Sequence, residues 1–244
     1  MRIGIISDIH GNLPALEAVL ADLEPRRLDA LYCLGDLVGY APFPNEVTER
    51  IAALRIPTIM GNYDDGVGFD RNDCGCAYKE PAEKERGDRS LMWTRARVTD
   101  ANKAFLRGLA RDIRFEAGGR RVLLVHGSPR KMNEYLFEDR AIATFQRIAA
   151  SSEADIIVFG HTHRPYTKLV DGVLFVNAGS VGKPKDGDWR ACCVVLEPAA
   201  DEPVRFVRVP YDLERVTAAI RGSDLPDEFA ADLERGGASE GVGR

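Results

Sequence analysis

Arg2-Ile3-Gly4-Ile5-Ile6-Ser7-Asp8-Ile9-His10 is a mostly β-branched apolar run that stops abruptly on a polar tip. Such a run reads as a strand buried on both faces. The pattern recurs along the chain. Asp29 to Leu34 ends at Gly35-Asp36, and Ile56 to Met60 ends at Gly61-Asn62-Tyr63-Asp64. Val125 leads into His126-Gly127, and Asp155 to Phe159 ends at Gly160-His161-Thr162-His163. These tips contain all 4 histidines of the protein. Asp8 and His10 are two residues apart, as are His161 and His163, so in extended backbone each pair points one way. Two carboxylates, one amide and four imidazoles brought to one sheet edge are the parts of a two-metal site.

The segments between the tips set the fold. Asn12-Leu13-Pro14 opens a helix, with Asn12 as its cap and Leu16, Val19, Leu20 and Leu23 on one face. A second helix follows Pro44-Asn45 and carries Val47, Ile51 and Leu54. Three rounds of strand, tip and helix predict parallel strands with crossover helices. Ligands of such sheets bind beyond the carboxyl ends of the strands, where the tips lie. From Gly61 to Lys79 no period is visible, and so long a loop beside a site reads as a lid or substrate loop. Helices are expected over Pro81 to Val98 and Thr99 to Leu109. The second half favours hairpins: Gly118-Gly119 separates Ile113 to Ala117 from Arg120 to Val125, and Asp171-Gly172 separates Tyr166 to Val170 from Val173 to Asn177. A helix over Asp139 to Ala150, strands over Trp189 to Leu196 and Val204 to Val209, and a closing helix over Asp212 to Ile220 complete the pattern. The expectation is an α/β protein of two packed mixed sheets with helices outside.

The 244 residues suit one domain, taken as 1–221, followed by a C-terminal extension over 222–244. In that extension a short helix is expected near Asp227 to Leu233, with disorder from Gly236 to Arg244. An apolar content of 45% is ample for a core. The net charge of −5 gives no support to nucleic acid or an anionic membrane as main partner. No run approaches the roughly 18 apolar residues of a spanning helix, and the expected compartment is the cytoplasm. Cys33, Cys192 and Cys193 sit in apolar runs and read as small core residues. Cys74-Gly75-Cys76 lies in the glycine-rich loop, where unligated thiols, a redox pair and a secondary metal contact all remain open.

The order Asp8-x-His10, Gly35-Asp36, Gly61-Asn62, His126, Gly160-His161-x-His163 resembles the calcineurin-like metallophosphoesterase superfamily. The resemblance runs from Met1 to about Pro210 and is nearest to the small prokaryotic phosphoesterases, through residues 35–40 and 177–182. It implies a four-layer α-β-β-α sandwich. It also implies two divalent ions, for which Mn, Fe, Zn, Ni and Co all suit the donor types. By motif, Asp8, His10 and His163 would hold the first ion, Asn62, His126 and His161 the second, and Asp36 would bridge them. The activity implied is hydrolysis of a small phosphorylated substrate, nucleotides included, by metal-activated hydroxide. Monoester, diester and dinucleotide polyphosphate stay open, as does a homo-oligomer. Asn12, Arg130 and Arg164 are candidates for substrate contact, with a solvated surface charge as the plain alternative for each arginine. Asn177, Gly179 and Ser180 match a family loop closing over the site and are expected to support ligands.

One position departs from the pattern. The family's third motif reads Gly-Asn-His and then an acidic residue, the His protonating the leaving oxygen; here Tyr63 replaces it. Tyrosine, with a reference pKa near 10, is a weaker acid at neutral pH than imidazolium. Three readings follow: substrates that need little leaving-group protonation, a proton from Tyr63, Asp64 or the 66–76 loop, or a metal-bound ligand-binding or scaffold protein of low activity.

Overall fold

Strand β1 (Ile3–Ile6) is buried along its whole length, as its four apolar residues require. It pairs in parallel with β2 (Ala30–Cys33), Ile3 opposite Ala30 and Ile6 opposite Cys33. On its other side it pairs antiparallel with β8 (Ala191–Leu196), which pairs with β9 (Val204–Val209). The second sheet has the order β3 (Asp112–Ala117), β4 (Arg120–Val125), β5 (Ile156–Phe159), β7 (Val173–Asn177) and β6 (Tyr166–Val170). Strands β4, β5 and β7 are parallel, and the edge strands β3 and β6 return through two-residue hairpins. Both sheets are therefore mixed. The computed structural model describes residues 1–78 and 80–237.

Alternation along the strands builds four layers. Ile3, Ile5, Val194 and Leu196 of the first sheet meet Val122, Leu124, Ile156, Val158 and Val176 of the second in an apolar layer between the sheets. The opposite face of the first sheet packs on α1 (Leu13–Leu23) and α7 (Leu213–Arg221), and that of the second on α6 (Ile142–Ser152) through Phe145 and Ile148. Helix α1 starts as expected: Asn12 Oδ1 accepts the Ala15 N–H at 3.1 Å, and Pro14 lies in the first turn. Thr99 likewise caps α5 (Asp100–Arg107), behind α2 (Pro44–Ala53) and α4 (Pro81–Arg97).

Two segments differ from the sequence reading. Ile56 to Met60 is not a strand; Thr58 and Ile59 form only single bridges, to Cys33 and Ala110. Pro57 has no N–H to give a ladder, so its carbonyl alone serves, accepting from Cys33 N. The first part of the expected loop is instead helix α3 (Asn62–Gly68), buried at all seven positions. Its glycines mark close packing: a Cβ on Gly66 would lie 3.2 Å from Leu91 Cδ1, and one on Gly68 would lie 3.2 Å from Leu106 Cβ.

Beyond residue 221 the chain folds back on the body. Helix α8 (Glu228–Glu234) sets Phe229 edge-on to Tyr40, with ring centroids 5.1 Å apart. The Lys183 ammonium lies 4.6 Å from the Tyr40 ring centroid and 5.0 Å from that of Phe229, with Asp232 at 3.5 Å. Gly236 and Gly237 form a turn that accepts from Gly187 N; the rest of the segment expected to be disordered, 238–244, lies outside the described residues. Among the described residues no helix is long and apolar enough to cross a membrane.

Candidate metal centre

The parallel strands β1, β2, β4, β5 and β7 all release their chains at the same edge of the sandwich, and backbone bonds lace these ends together. Asp8 N donates to Gly35 O, His10 N to Asp36 O, and Gly160 N to His126 O, all within 2.8–3.0 Å. Val181 N and Gly182 N, just past β7, donate to Ser7 O and Asp8 O, tying one sheet to the other.

The paired residues converge by a different route from the one expected. Asp8, His10, His161 and His163 are not extended; their φ values are 54°, 51°, 63° and 61°, and that of Asp36 is 54°. Left-handed backbone in a non-glycine residue costs free energy and persists only where surrounding structure imposes it. Here five candidate ligands adopt it, turning their side chains inward at the strand ends.

Within the site, the donor atoms are sorted by their outer partners. His10 Nδ1 faces Val38 O at 3.1 Å, His126 Nδ1 faces Leu34 O at 2.7 Å, and His163 Nδ1 faces Lys183 O at 2.5 Å. A carbonyl only accepts, so each Nδ1 carries the hydrogen and each Nε2 points inward as the ligating atom. The carboxylates are divided in the same way. Asp8 Oδ2 accepts from Ser7 Oγ at 2.5 Å and His161 N at 3.1 Å, and Asp36 Oδ1 accepts from Tyr63 N at 2.8 Å. Asp8 Oδ1 and Asp36 Oδ2 remain for the interior.

These inward atoms form two groups, Asp8 with His10 and His163, and Asp36 with His126 and His161, each lying within 4.8 Å of one another. Asp36 Oδ2 stands 3.4 Å from His126 Nε2 and 3.7 Å from His10 Nε2, between the groups. Asn62 Oδ1 is 3.1 Å from His126 Nε2. All seven side chains named from the sequence thus meet, and each is at most 3% exposed.

The chemistry of this donor set fits cations. His10 Nε2 and His163 Nε2 are 3.2 Å apart, and two such lone pairs repel unless positive charge lies nearby. Asp8 Oδ1 and His161 Nε2 are buried with no hydrogen-bond partner, an arrangement that is costly unless another ligand satisfies them. The electrostatics agree. Burial opposes ionisation of Asp8 and Asp36, yet His163 beside Asp8 and His126 beside Asp36 hold both below the ordinary carboxylate range. Burial likewise opposes charge on His126, but the Asp36 carboxylate pushes it up to about 10. Burial brings His10 and His161 down to about 3. The site holds its carboxylates ionised and most of its imidazoles neutral, the protonation states metal ligands need.

The remaining expected residues have defined places. Tyr63 is 1% exposed, its ring 5.5 Å from that of His10 and 4.7 Å from that of Tyr40, and its hydroxyl 3.5 Å from Tyr78 Oη. Burial raises its pKa further, with Tyr40 and Tyr78 adding to the effect. Asp64 turns both oxygens to backbone amides: Oδ2 accepts from Asp36 N (2.7 Å) and Gly61 N (2.9 Å), and Oδ1 from Leu37 N (2.9 Å). Asn12 is engaged at both ends, capping α1 and donating to Gly182 O. Arg130 pairs with Glu134, and Arg164 donates to Lys185 O with its guanidinium 5.8 Å from the Phe137 ring centroid. Asn177 Nδ2 donates to Gly160 O and Thr162 Oγ1, its Oδ1 accepts from Gly179 N, and Ser180 Oγ donates to Asp8 O.

Three further residues contribute; Tyr135 and Lys183 carried no sequence signal, whereas Cys76 stood out in the sequence without a settled role. Tyr135 lies against His161 with centroids 4.0 Å apart, but sits in a stretch without period or motif. Cys76 Sγ accepts from Asn62 Nδ2 at 3.2 Å. Lys183 orients His163 through its carbonyl, a backbone role no residue type announces.

Comparison with known proteins agrees with this geometry. Residues 1–201 match the model of the calcineurin-like phosphoesterase superfamily domain. An uncharacterized protein of Methanocaldococcus jannaschii is 33% identical over 243 residues, covering 92% of this chain and 94% of its own. The phosphodiesterase YfcE of Escherichia coli is 26% identical over 198 residues, covering 77% and 83%. The crystal structure of a metallophosphoesterase from Sphaerobacter thermophilus superposes with a TM-score of 0.79 at 30% identity, covering 97% of this chain and 99% of that one. Fold, donor set and relatives converge: the chain belongs to the calcineurin-like phosphoesterase superfamily and is a metal-dependent hydrolase of phosphoester bonds.

Proposed function

We propose that this protein is a dinuclear phosphodiesterase acting on small phosphodiesters whose leaving groups need little protonation. The observation that carries the reading is the position of Asp36 Oδ2, between two groups of inward-facing ligand atoms. Asp8, His10 and His163 would hold one ion, Asn62, His126 and His161 the other, and Asp36 both. Two divalent ions so held supply a hydroxide nucleophile near neutral pH and polarise the phosphoryl oxygens. The donor types suit Mn, Fe, Zn, Ni or Co without selecting among them.

The chain's own residues shape the rest. Ser7, His161 N and Tyr63 N hold the outer oxygens of Asp8 and Asp36, so the inner oxygens keep their aim. Val38, Leu34 and Lys183 carbonyls fix the imidazole tautomers. Tyr63 is a neutral phenol packed among Tyr40, Tyr78 and His10, suited to filling the space of the missing imidazole rather than delivering a proton. Asp64 positions the Gly35-Asp36 and Gly61-Asn62 tips through their amides. The diester preference is supported by the likeness to the phosphodiesterase of Escherichia coli. With Mn²⁺, the purified protein is expected to hydrolyse bis-nitrophenyl phosphate, and Asp36→Ala to abolish it. Inactivity of the wild type on activated diesters and monoesters across several metals would sink the proposal and favour a ligand-binding or scaffold role.

A further inference from the structure

The Cys74-Gly75-Cys76 segment is not used by the reading above, yet it touches the site. Cys74 Sγ and Cys76 Sγ are 2.9 Å apart, within about an ångström of the roughly 2.05 Å of a disulfide bond. The turn that brings them together is built in. Gly75 has φ +68°, and a Cβ there would lie 2.2 Å from Asn133 Nδ2. Asp73 Oδ1 accepts from Gly75 N, and Asn133 Nδ2 donates to Gly75 O at 2.8 Å. Among the described residues no other two cysteines are so placed. Cys33 is buried in β2, and Cys192 and Cys193 are neighbours in β8, whose side chains point to opposite faces.

The same segment holds the amide of Asn62. Its Nδ2 donates to Cys74 O at 3.1 Å and Cys76 Sγ at 3.2 Å, which turns Oδ1 toward His126. Cys76 is partly exposed and Cys74 is buried, so an oxidant reaches Cys76 first.

We infer that Cys74 and Cys76 form a reversible dithiol–disulfide modification site whose oxidation loosens Asn62 and weakens metal binding. The step balances with hydrogen peroxide as oxidant. The Cys76 sulfur attacks one peroxide oxygen, the O–O bond breaks, and one water leaves, giving Cys76–SOH. The Cys74 sulfur then attacks that sulfur, the S–S bond forms, and the hydroxyl leaves as a second water with the thiol proton. The thiols lose two electrons and the peroxide gains them. Closing the bond draws Cys76 Sγ toward Cys74 and away from Asn62 Nδ2, leaving the amide one of its two anchors. Loss of such an outer partner costs roughly 10–100-fold in metal affinity or activity.

The metal effect rests on the proposed dinuclear site, so the test separates the two. Full-length protein is treated with hydrogen peroxide, digested without reductant and weighed; in parallel, Mn²⁺ binding is titrated calorimetrically before oxidation, after it, and after dithiothreitol. The expected result is a loss of 2 Da confined to the peptide bearing both cysteines, a fall of about 10-fold or more in Mn²⁺ affinity, and recovery of both on reduction. Cys74→Ser is expected to bind Mn²⁺ like the reduced wild type and to show no 2 Da loss. Oxygen addition at Cys76 without pairing, or pairing that leaves Mn²⁺ affinity unchanged, overturns the inference. A redox-dependent Mn²⁺ affinity in a protein inactive on the activated diester supports it while removing the diesterase reading.

Discussion

Tyr63 and Asp64 are adjacent, and their surroundings give them different work. Tyr63 occupies the position where the motif that this sequence resembles has an imidazole, and its hydroxyl meets Tyr78 in a buried aromatic cluster. Replacing it with His restores a group able to protonate a leaving oxygen. Tyr63→His is therefore expected to raise kcat for an alkyl phosphodiester by about 10²-fold or more, and for a nitrophenyl diester far less. Steady-state kinetics on both esters check this; equal gains would place residue 63 away from the leaving group. Asp64 accepts three backbone N–H groups with no access to solvent. Asp64→Asn turns one acceptor into a donor facing donors and is expected to cost about 3 kcal/mol of stability, read by urea denaturation. The sequence marks Asp64 as an acidic residue beside a ligand and a candidate proton source. Its service to the Asp36, Leu37 and Gly61 amides appears once the tips are brought together.

Elements were legible where local chemistry decides them. Gly118-Gly119 and Asp171-Gly172 set two hairpins, three of whose four strands have the bounds expected while β3 begins one residue earlier at Asp112, and Asn12 and Thr99 cap the helices assigned to them. Two elements were hidden because tertiary contacts decide them. Helix α3 has no apolar period; it forms because its glycines allow close approach to Leu91 and Leu106 and its Asp64 holds Gly61. Ile56 to Met60 looks strand-like, but Pro57 removes a donor and only bridges survive. The metal tips were legible as a set of ligands and misread as extended chain. Their left-handed φ values depend on bonds to distant backbone, which no local pattern records. Helix α8 gives a test at this scale. Phe229 is 4% exposed and covers Tyr40 and Lys183, so Phe229→Ala is expected to cost about 3 kcal/mol by denaturant unfolding.

At the scale of the whole molecule, the site is where the two sheets meet. Asp8 and Asp36 come from the first sheet's strand ends, His126 and His161 from the second's, and the loop after β7 binds Ser7 and Asp8. Metal that binds only this assembled state stabilises the fold by mass action, by about 2.7 kcal/mol per ion at a hundredfold excess over Kd. For a chain of this size that corresponds to a rise in Tm of roughly 5–10 °C per ion. Saturating Mn²⁺ is expected to produce such a rise, reversed by a chelator and diminished in His163→Ala. The proposal that seven residues from four strand ends and the start of helix α3 form one dinuclear centre is tested most directly by metal content. Elemental analysis of protein equilibrated with Mn²⁺ and desalted is predicted to give two ions per chain for the wild type, with a substantial loss in Asp36→Ala. A wild type that retains none, or an Asp36→Ala variant that retains both, would contradict it.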